Sequence, residues 1–204
     1  MNLPLPAPLP VPAPAAELRR ALRAGRIAAR EALPEEERRR LTACIETRLD
    51  ELMASLRPAT LAFCWPWRGE VDLLAWVTRW LAADAARRAA LPVVVDAAAP
   101  LLFRRWQPGM RLDVDRHGIP CPPDGPALRP DALLVPLNVF DGGGYRLGYG
   151  GGYFDRSLAA LRPAPVAIGV GFELARAASV HPQAHDQPMD WIVTEAGILR
   201  PARA

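Results

Sequence analysis

The richest chemistry in the chain lies in one run, Val135–Arg156, where Gly148, Gly150, Gly151 and Gly152 are interleaved with Arg146, Tyr149, Tyr153, Phe154 and Asp155. Glycines let a backbone turn sharply and leave its N–H groups open to an anion. Arg146 supplies positive charge. Asp155, one turn into the helix that should follow, is a hard oxygen ligand suited to Mg²⁺ on a bound phosphate. Tyr149 and Tyr153 offer flat faces for a ring system. The run fits neither the Walker A pattern nor a strict dinucleotide fingerprint. By residue type alone it is a phosphate- or nucleotide-binding loop, with a flexible glycine loop and packing tyrosines as the plain alternative.

The elements that must hold this loop follow from periodicity. Leu18, Leu22 and Ile27 among arginines predict a basic amphipathic helix over Ala15–Arg30. Pro34, Glu35 and Glu36 predict the start of a second helix, whose Leu41, Ile45, Leu49, Leu52 and Leu56 face a core before Pro58 stops it. Strands are expected at Thr60–Trp65, Pro92–Val95, Ala132–Val135, Val166–Val170 and Ile192–Thr194, and helices at Glu70–Arg88 and Tyr153–Leu161. Two short strands should flank the turn at Gln107-Pro108-Gly109, and a long structured loop should fill 113–130. Alternating helices and apolar strands predict an α/β fold, a three-layer α/β/α arrangement with an open, mostly parallel sheet. The glycine run then leaves the carboxyl end of a buried strand, where such sheets bind ligands.

Composition narrows the classes. Two hundred and four residues, half of them apolar, suit one domain with a real core. The expectation is a single domain over 15–204, preceded by a tail over 1–14 whose six alternating prolines favour polyproline-II geometry. No apolar run has the length of a membrane span, and the start lacks a secretory pattern, so a cytoplasmic protein is expected. Cys44, Cys64 and Cys121 are too scattered for a disulfide framework or a metal cluster. His117, His181 and His185 lack metal-ligand spacing. All 25 basic side chains are arginine, with no lysine, and net charge is +3. They are spread along the chain, which disfavours nucleic acid as a partner.

Several ordered segments together resemble the 5-formyltetrahydrofolate cyclo-ligase family, also called 5,10-methenyltetrahydrofolate synthetase. Pro136–Arg156 is similar to its signature, and Leu18-Arg19 with Arg26 resembles its basic first helix. Gly69-Glu70-Val71-Asp72 resembles its folate-site segment, and Phe103–Gly109 with Gly118-Ile119-Pro120 its middle signature. His185–Asp190 before Val193-Thr194-Glu195 resembles the closing one. The resemblance spans nearly all of 15–195. It implies ATP- and Mg²⁺-dependent conversion of 5-formyltetrahydrofolate to 5,10-methenyltetrahydrofolate, ADP and phosphate, by a chain expected to be a monomer.

Carried over by position, the resemblance assigns Arg146 and Gly148, Gly150, Gly151 and Gly152, with Phe154, to ATP. It assigns Tyr149 and Tyr153, with the glycines between them, to the meeting point of formyl oxygen and γ-phosphate. Asp155 and Asp186 match metal-associated carboxylates, and Glu70 and Trp65 match folate contacts. Without the resemblance, Asp186 is a loop cap beside Pro188, Glu70 a helix N-terminal residue, and Trp65 equally core packing. Family members usually carry a lysine where this chain has Ala15, so Arg19, Arg20 or Arg23 must reach that phosphate with a guanidinium fork. Many also carry one at Gly151. Two other classes make different demands. A non-catalytic folate- or nucleotide-binding protein shows binding without turnover, and an arginine-rich nucleic-acid binder shows steep salt dependence.

Overall fold

The computed structural model describes residues 13–202. The expected proline-rich tail therefore lies outside the described residues, apart from 13 and 14, which open the first helix. Four α-helices are present among the described residues: α1 (Ala13–Glu31), α2 (Glu35–Leu56), α3 (Leu74–Ala82) and α4 (Tyr153–Ala160). The strands are β1 (Thr60–Ala62), β2 (Arg88–Val93), β3 (Leu102–Trp106), β4 (Asp113–Val114), β5 (Pro120–Cys121), β6 (Ala132–Pro136), β7 (Val139–Phe140), β8 (Arg146–Leu147), β9 (Val166–Val170), β10 (Trp191–Thr194) and β11 (Gly197–Leu199).

Seven strands form one sheet in the order β11-β10-β9-β6-β1-β2-β3. The five central strands are parallel, and β3 and β11 close the edges antiparallel. Both faces are covered. Alternate side chains point to opposite faces, so Leu61, Leu91 and Leu134 meet Ile45, Leu49, Trp76 and Val77 of α2 and α3 on one side. Ala62, Ala90, Leu133 and Val135 meet Phe140 and the Phe154 and Leu158 side of α4 on the other. The three-layer α/β/α architecture is the expected one.

The chain runs from β1 outward to β2, then returns across the sheet to β6, β9 and β10. The strand order thus reverses between β1 and β6, and the loops that leave their carboxyl ends diverge around a crevice. The glycine run leaves β6 at that point. It first folds into the β7–β8 hairpin, whose turn is built on buried Asp141. Asp141 Oδ1 accepts from the N–H groups of Gly143 and Tyr145, and Oδ2 accepts from Val180 N–H at 3.0 Å. Leu22 of α1 packs on the small cluster under this hairpin, formed by Val139, Leu147 and Val180.

Several boundaries differ from expectation. The helix expected over Glu70–Arg88 is confined to Leu74–Ala82, because Glu70 closes a turn with Trp67 and the Asp72 carboxylate accepts from Leu74 N–H at 3.0 Å. Glu70 is therefore not a helix N-terminal residue. Downstream, Asp84 accepts from Ala86 N–H at 2.9 Å and releases the chain into β2, four residues earlier than the strand expected at Pro92. Pro92 lies beyond the register of β2 with β1, so its missing donor breaks no bond in that pairing. The strand expected after the Gln107-Pro108-Gly109 turn begins at Asp113 and pairs with β5, so the loop expected over 113–130 carries a hairpin.

Gly144 turns the β7–β8 hairpin at φ +86°, and a Cβ there would stand 2.9 Å from Pro201 Cγ and 3.0 Å from Met189 O. Gly144→Ala should therefore destabilise the fold by about 2 kcal/mol in urea unfolding, since left-handed strain and a backbone clash coincide.

Candidate functional site

Three walls enclose the crevice at the β1/β6 switch. The turn after β1 brings Glu70. The hairpin and loop after β6 bring Arg146, Tyr149 and the glycines. Helix α1 lies across them and presents Arg19, Arg23, Arg26 and Arg30 on one face, at helical spacing.

Arg30 is 4% exposed and ties α1 to the other two walls. Its Nε donates to Arg68 O at 3.0 Å, Nη1 to Asn138 Oδ1 at 2.8 Å and more weakly to Leu137 O at 3.5 Å, and Nη2 to the Tyr149 hydroxyl at 2.9 Å. Tyr149 in turn donates to Glu70 Oε1 at 3.0 Å, and the Trp67 N–H donates to Glu70 Oε2 at 3.1 Å. Burial pushes the Glu70 carboxyl up from 4.5 to about 7, against the opposing pull of Arg30, Tyr149 and the Trp67 N–H. Burial and the neighbouring carboxylate likewise raise the Tyr149 phenol. Cys64 lies beside Glu70 in a small cavity with Val71, Leu134 and Pro136. Burial raises its thiol well above the ordinary value, so it is no nucleophile.

The second half of the site is cationic. Arg23 Nε donates to Gly148 O at 2.6 Å, and its guanidinium sits 3.9 Å from where a Gly150 Cβ would be. Burial, then the charges of Arg19 and Arg20, depress its pKa, a sign of cations gathered with incomplete compensation. Arg20 itself is exposed. Gly151 packs under the Tyr153 ring, where a Cβ would meet ring carbon at 2.6 Å. No side chain caps the N-terminus of α4 at Gly152, so its first N–H groups face the loop. Tyr153 lies under the Arg156 guanidinium, 5.0 Å from the ring centre, and its hydroxyl is 3.3 Å from His117 Nε2.

The two predicted metal carboxylates are brought together by one loop. Arg146, 4% exposed, pairs with Asp155 Oδ1 at 3.0 Å and donates to Gln187 O, while Gln187 N–H donates back to Asp155 Oδ1. Next to Gln187, Asp186 accepts from Arg19 at 2.6 and 3.1 Å and from Gln183 N–H at 2.8 Å. Burial opposes ionisation of Asp186, but those donors outweigh it and hold the carboxyl below its usual range. Asp186 is thus both a loop cap and the anchor of α1. Among the described residues no three His, Cys, Asp or Glu gather as a protein-only metal cage. That donor set still suits Mg²⁺, which binds one or two carboxylates together with substrate phosphates and water. Trp65 is half-buried against the main core, and Phe154 packs under the sheet with Arg146 6.0 Å from its ring centre.

The family model of the 5-formyltetrahydrofolate cyclo-ligase family matches residues 15–195. The chain belongs to that family. The 5-formyltetrahydrofolate cyclo-ligases of Escherichia coli strains K12 and O157:H7 are each 32% identical over 136 residues, 63% of this chain and 73% of theirs. The NMR structure of Aquifex aeolicus 5,10-methenyltetrahydrofolate synthetase superposes with a TM-score of 0.75 at 31% identity, covering 93% of this chain and 95% of that one. The Mycoplasma pneumoniae 5,10-methenyltetrahydrofolate synthetase shares the fold, with a TM-score of 0.69 at 24% identity over 87% of this chain and 98% of that one. No described helix is long and apolar enough to cross a membrane. A cleft of about 460 Å³ lies at the other end of the sheet, beside Arg87, Arg88 and Arg105, and has no part in this arrangement.

Arg30 escaped the sequence reading, which treated it as the end of an amphipathic helix. Only its burial marks it, and one-dimensional spacing does not carry burial of a charge. The raised Glu70 carboxyl has a measurable consequence. The folded chain binds that proton more tightly than the unfolded chain, so its contribution is full below about pH 4.5 and lost as pH rises through about 7. Glu70→Gln should remove that decline. The gap in unfolding free energy between the two proteins should change by up to about 3 kcal/mol between about pH 4.5 and about pH 8.

Proposed function

We propose that this chain catalyses ATP- and Mg²⁺-dependent cyclisation of 5-formyltetrahydrofolate to 5,10-methenyltetrahydrofolate, releasing ADP and phosphate. The observation that carries it is the polarity of the crevice: arginines and an uncapped helix start at one end, and a buried carboxylate with an aromatic hydroxyl at the other. The first end suits a polyphosphate. The second suits a flat heterocycle bearing N–H donors, as a reduced pterin does. The activities named for the Escherichia coli and Aquifex aeolicus relatives agree with this pairing. Action in the cytoplasm follows from the same reading.

The formyl oxygen of an amide leaves poorly, so it must first be activated. It attacks the γ-phosphorus, the bond to ADP breaks, and an iminium-like phosphate ester forms. N10 of the same molecule then attacks the former formyl carbon. The five-membered ring closes, N10 loses its proton and phosphate departs with the oxygen. Both nitrogens belong to one substrate, so alignment replaces a bimolecular encounter and no protein nucleophile is needed.

The chain's residues supply position and charge. Arg23, the 148–152 amides and the start of α4 cradle the phosphates, with Arg19 at the edge of the same cluster. Tyr149 and Tyr153 border the point where formyl oxygen meets γ-phosphate. Glu70 accepts from the pterin N–H groups, with Trp65 behind it. Asp155 and Asp186 would hold Mg²⁺, which when bound offsets charge on the transferred phosphoryl group.

The direct test is growth of the methenyl product's near-ultraviolet absorbance, with and without ATP and Mg²⁺. Product that depends on both is the expected result, and ligand binding without turnover would instead select the non-catalytic reading. Asp155→Asn keeps acceptors for Arg146 and Gln187 but removes the charge. It should lower Mg²⁺-dependent turnover by about one to two orders of magnitude while costing less thermal stability than Asp155→Ala. Asp155→Ala would strand a buried guanidinium and confuse the two effects.

A further inference from the structure

We infer that Arg30 is a positioning residue for the folate end of this site, fixing the Tyr149 hydroxyl as a donor to Glu70 so that the carboxylate meets its ligand as an acceptor. This rests on the proposed reaction for its substrate, but the geometry stands on the protein alone.

A guanidinium has no lone pair to offer, so the 2.9 Å contact between Arg30 Nη2 and the Tyr149 oxygen can run only from arginine to tyrosine. The tyrosine oxygen is then an acceptor there, and its single proton is left for Glu70 Oε1 at 3.0 Å. The second carboxylate oxygen already accepts from the Trp67 N–H. Both oxygens are thereby set to receive hydrogen bonds. Without Arg30 the phenol could turn and accept a proton from neutral Glu70, presenting the ligand with the wrong polarity.

Arg30 also acts through charge. Its Nη2 stands 4.0 Å from Glu70 Oε1, with both side chains almost wholly buried. The groups facing Glu70 are Arg30 from α1, Tyr149 from the glycine loop, Cys64 after β1 and the Trp67 N–H of its own turn. Neighbouring Arg68 is turned away onto Glu31 at 2.6 Å, so Arg30 is the cation that favours the ionised carboxylate. The same guanidinium holds Asn138 and the carbonyl of Arg68, which fixes it relative to both loops. An ammonium could retain the charge but not this fork.

The test compares the wild type, Arg30→Met, Arg30→Lys, Tyr149→Phe and the Arg30→Met/Tyr149→Phe double variant. Two readouts are taken: the Glu70 titration midpoint in ligand-free protein by carboxyl carbon NMR, assigned with Glu70→Gln, and separate KM values for 5-formyltetrahydrofolate and ATP. Arg30→Met should raise the midpoint by about one pH unit and the folate KM about tenfold, leaving the ATP KM within about twofold. Arg30→Lys should return the midpoint toward wild type while the folate KM stays high. In the Tyr149→Phe background, Arg30→Met should add little to the folate KM.

Equal rises in both KM values, or full additivity in the double variant, would overturn the inference in favour of general packing. Should Arg30→Met fail to fold, Arg30→Lys decides alone: a raised folate KM with unchanged ATP KM supports the role, and an unchanged folate KM overturns it. If the wild type turns over no 5-formyltetrahydrofolate, the proposed reaction falls. The midpoint then still judges Arg30, and a midpoint unmoved in Arg30→Met overturns its part.

Discussion

A guanidinium that loses its water must find acceptors in several directions at once, and the functional half of this molecule is arranged around one that does. Arg30 leaves α1 and reaches the turn after β1, the crossing after β6 and the glycine loop. None of these segments belongs to the seven-stranded sheet. Removing any one leaves a buried charge short of partners, which costs several kcal/mol. The demand of one charge for satisfaction therefore couples three loops. Burial of the same region makes Glu70 reluctant to ionise, and the guanidinium that assembles the crevice pulls the other way.

The other end is organised by a different balance. Arg146 and Asp155 neutralise each other and are tied to the Gln187 backbone, while Asp186 is committed to Arg19 and its own turn. Arg23 has a carbonyl as its partner rather than a carboxylate, and like charges at its back. Positive potential is thus left beside the glycines while the rest of the charge is locked in pairs. An anion entering there replaces repulsion between cations with attraction. Negative charge carried toward Glu70 would meet a carboxylate, so the two ends of the crevice differ in sign.

Much of this was legible in the chain. Val166–Val170 and the core face of α2 follow from β-branched and helical spacing, and the glycine run is marked by its residue types. Glu70 and Tyr149 could be named as candidate site residues but not as partners, since 79 positions separate them and only the β1/β6 reversal brings them together. Local side-chain bonds defeated the helix boundary at Glu70, where Asp72 starts α3 later than apolar periodicity alone allows. The β7–β8 hairpin was hidden because two-residue strands have no period to read. Its turn is written instead in Asp141, whose carboxylate collects three backbone N–H groups from residues up to 39 positions away.

The absence of lysine then takes on structural meaning. Along α1 the arginines at 19, 23, 26 and 30 face one way, and each spends its fork on a different acceptor: the Asp186 carboxylate, the Gly148 carbonyl, the Arg176 carbonyl, and the cluster at Asn138 and Tyr149. A lysine at 30 would put one compact ammonium where bonds are needed along separate directions in a plane. At Arg23 the fork does two things an ammonium cannot do together, because Nε is spent on the backbone while the terminal nitrogens remain over Gly150. A cation over this loop therefore does not depend on a basic side chain at Ala15. It depends on whether α1 holds its register there, and that register is fixed by Arg19 on Asp186 and by Arg23 on the Gly148 carbonyl. A helix pinned this way can present arginine with the positional certainty that a flexible lysine would gain only on binding.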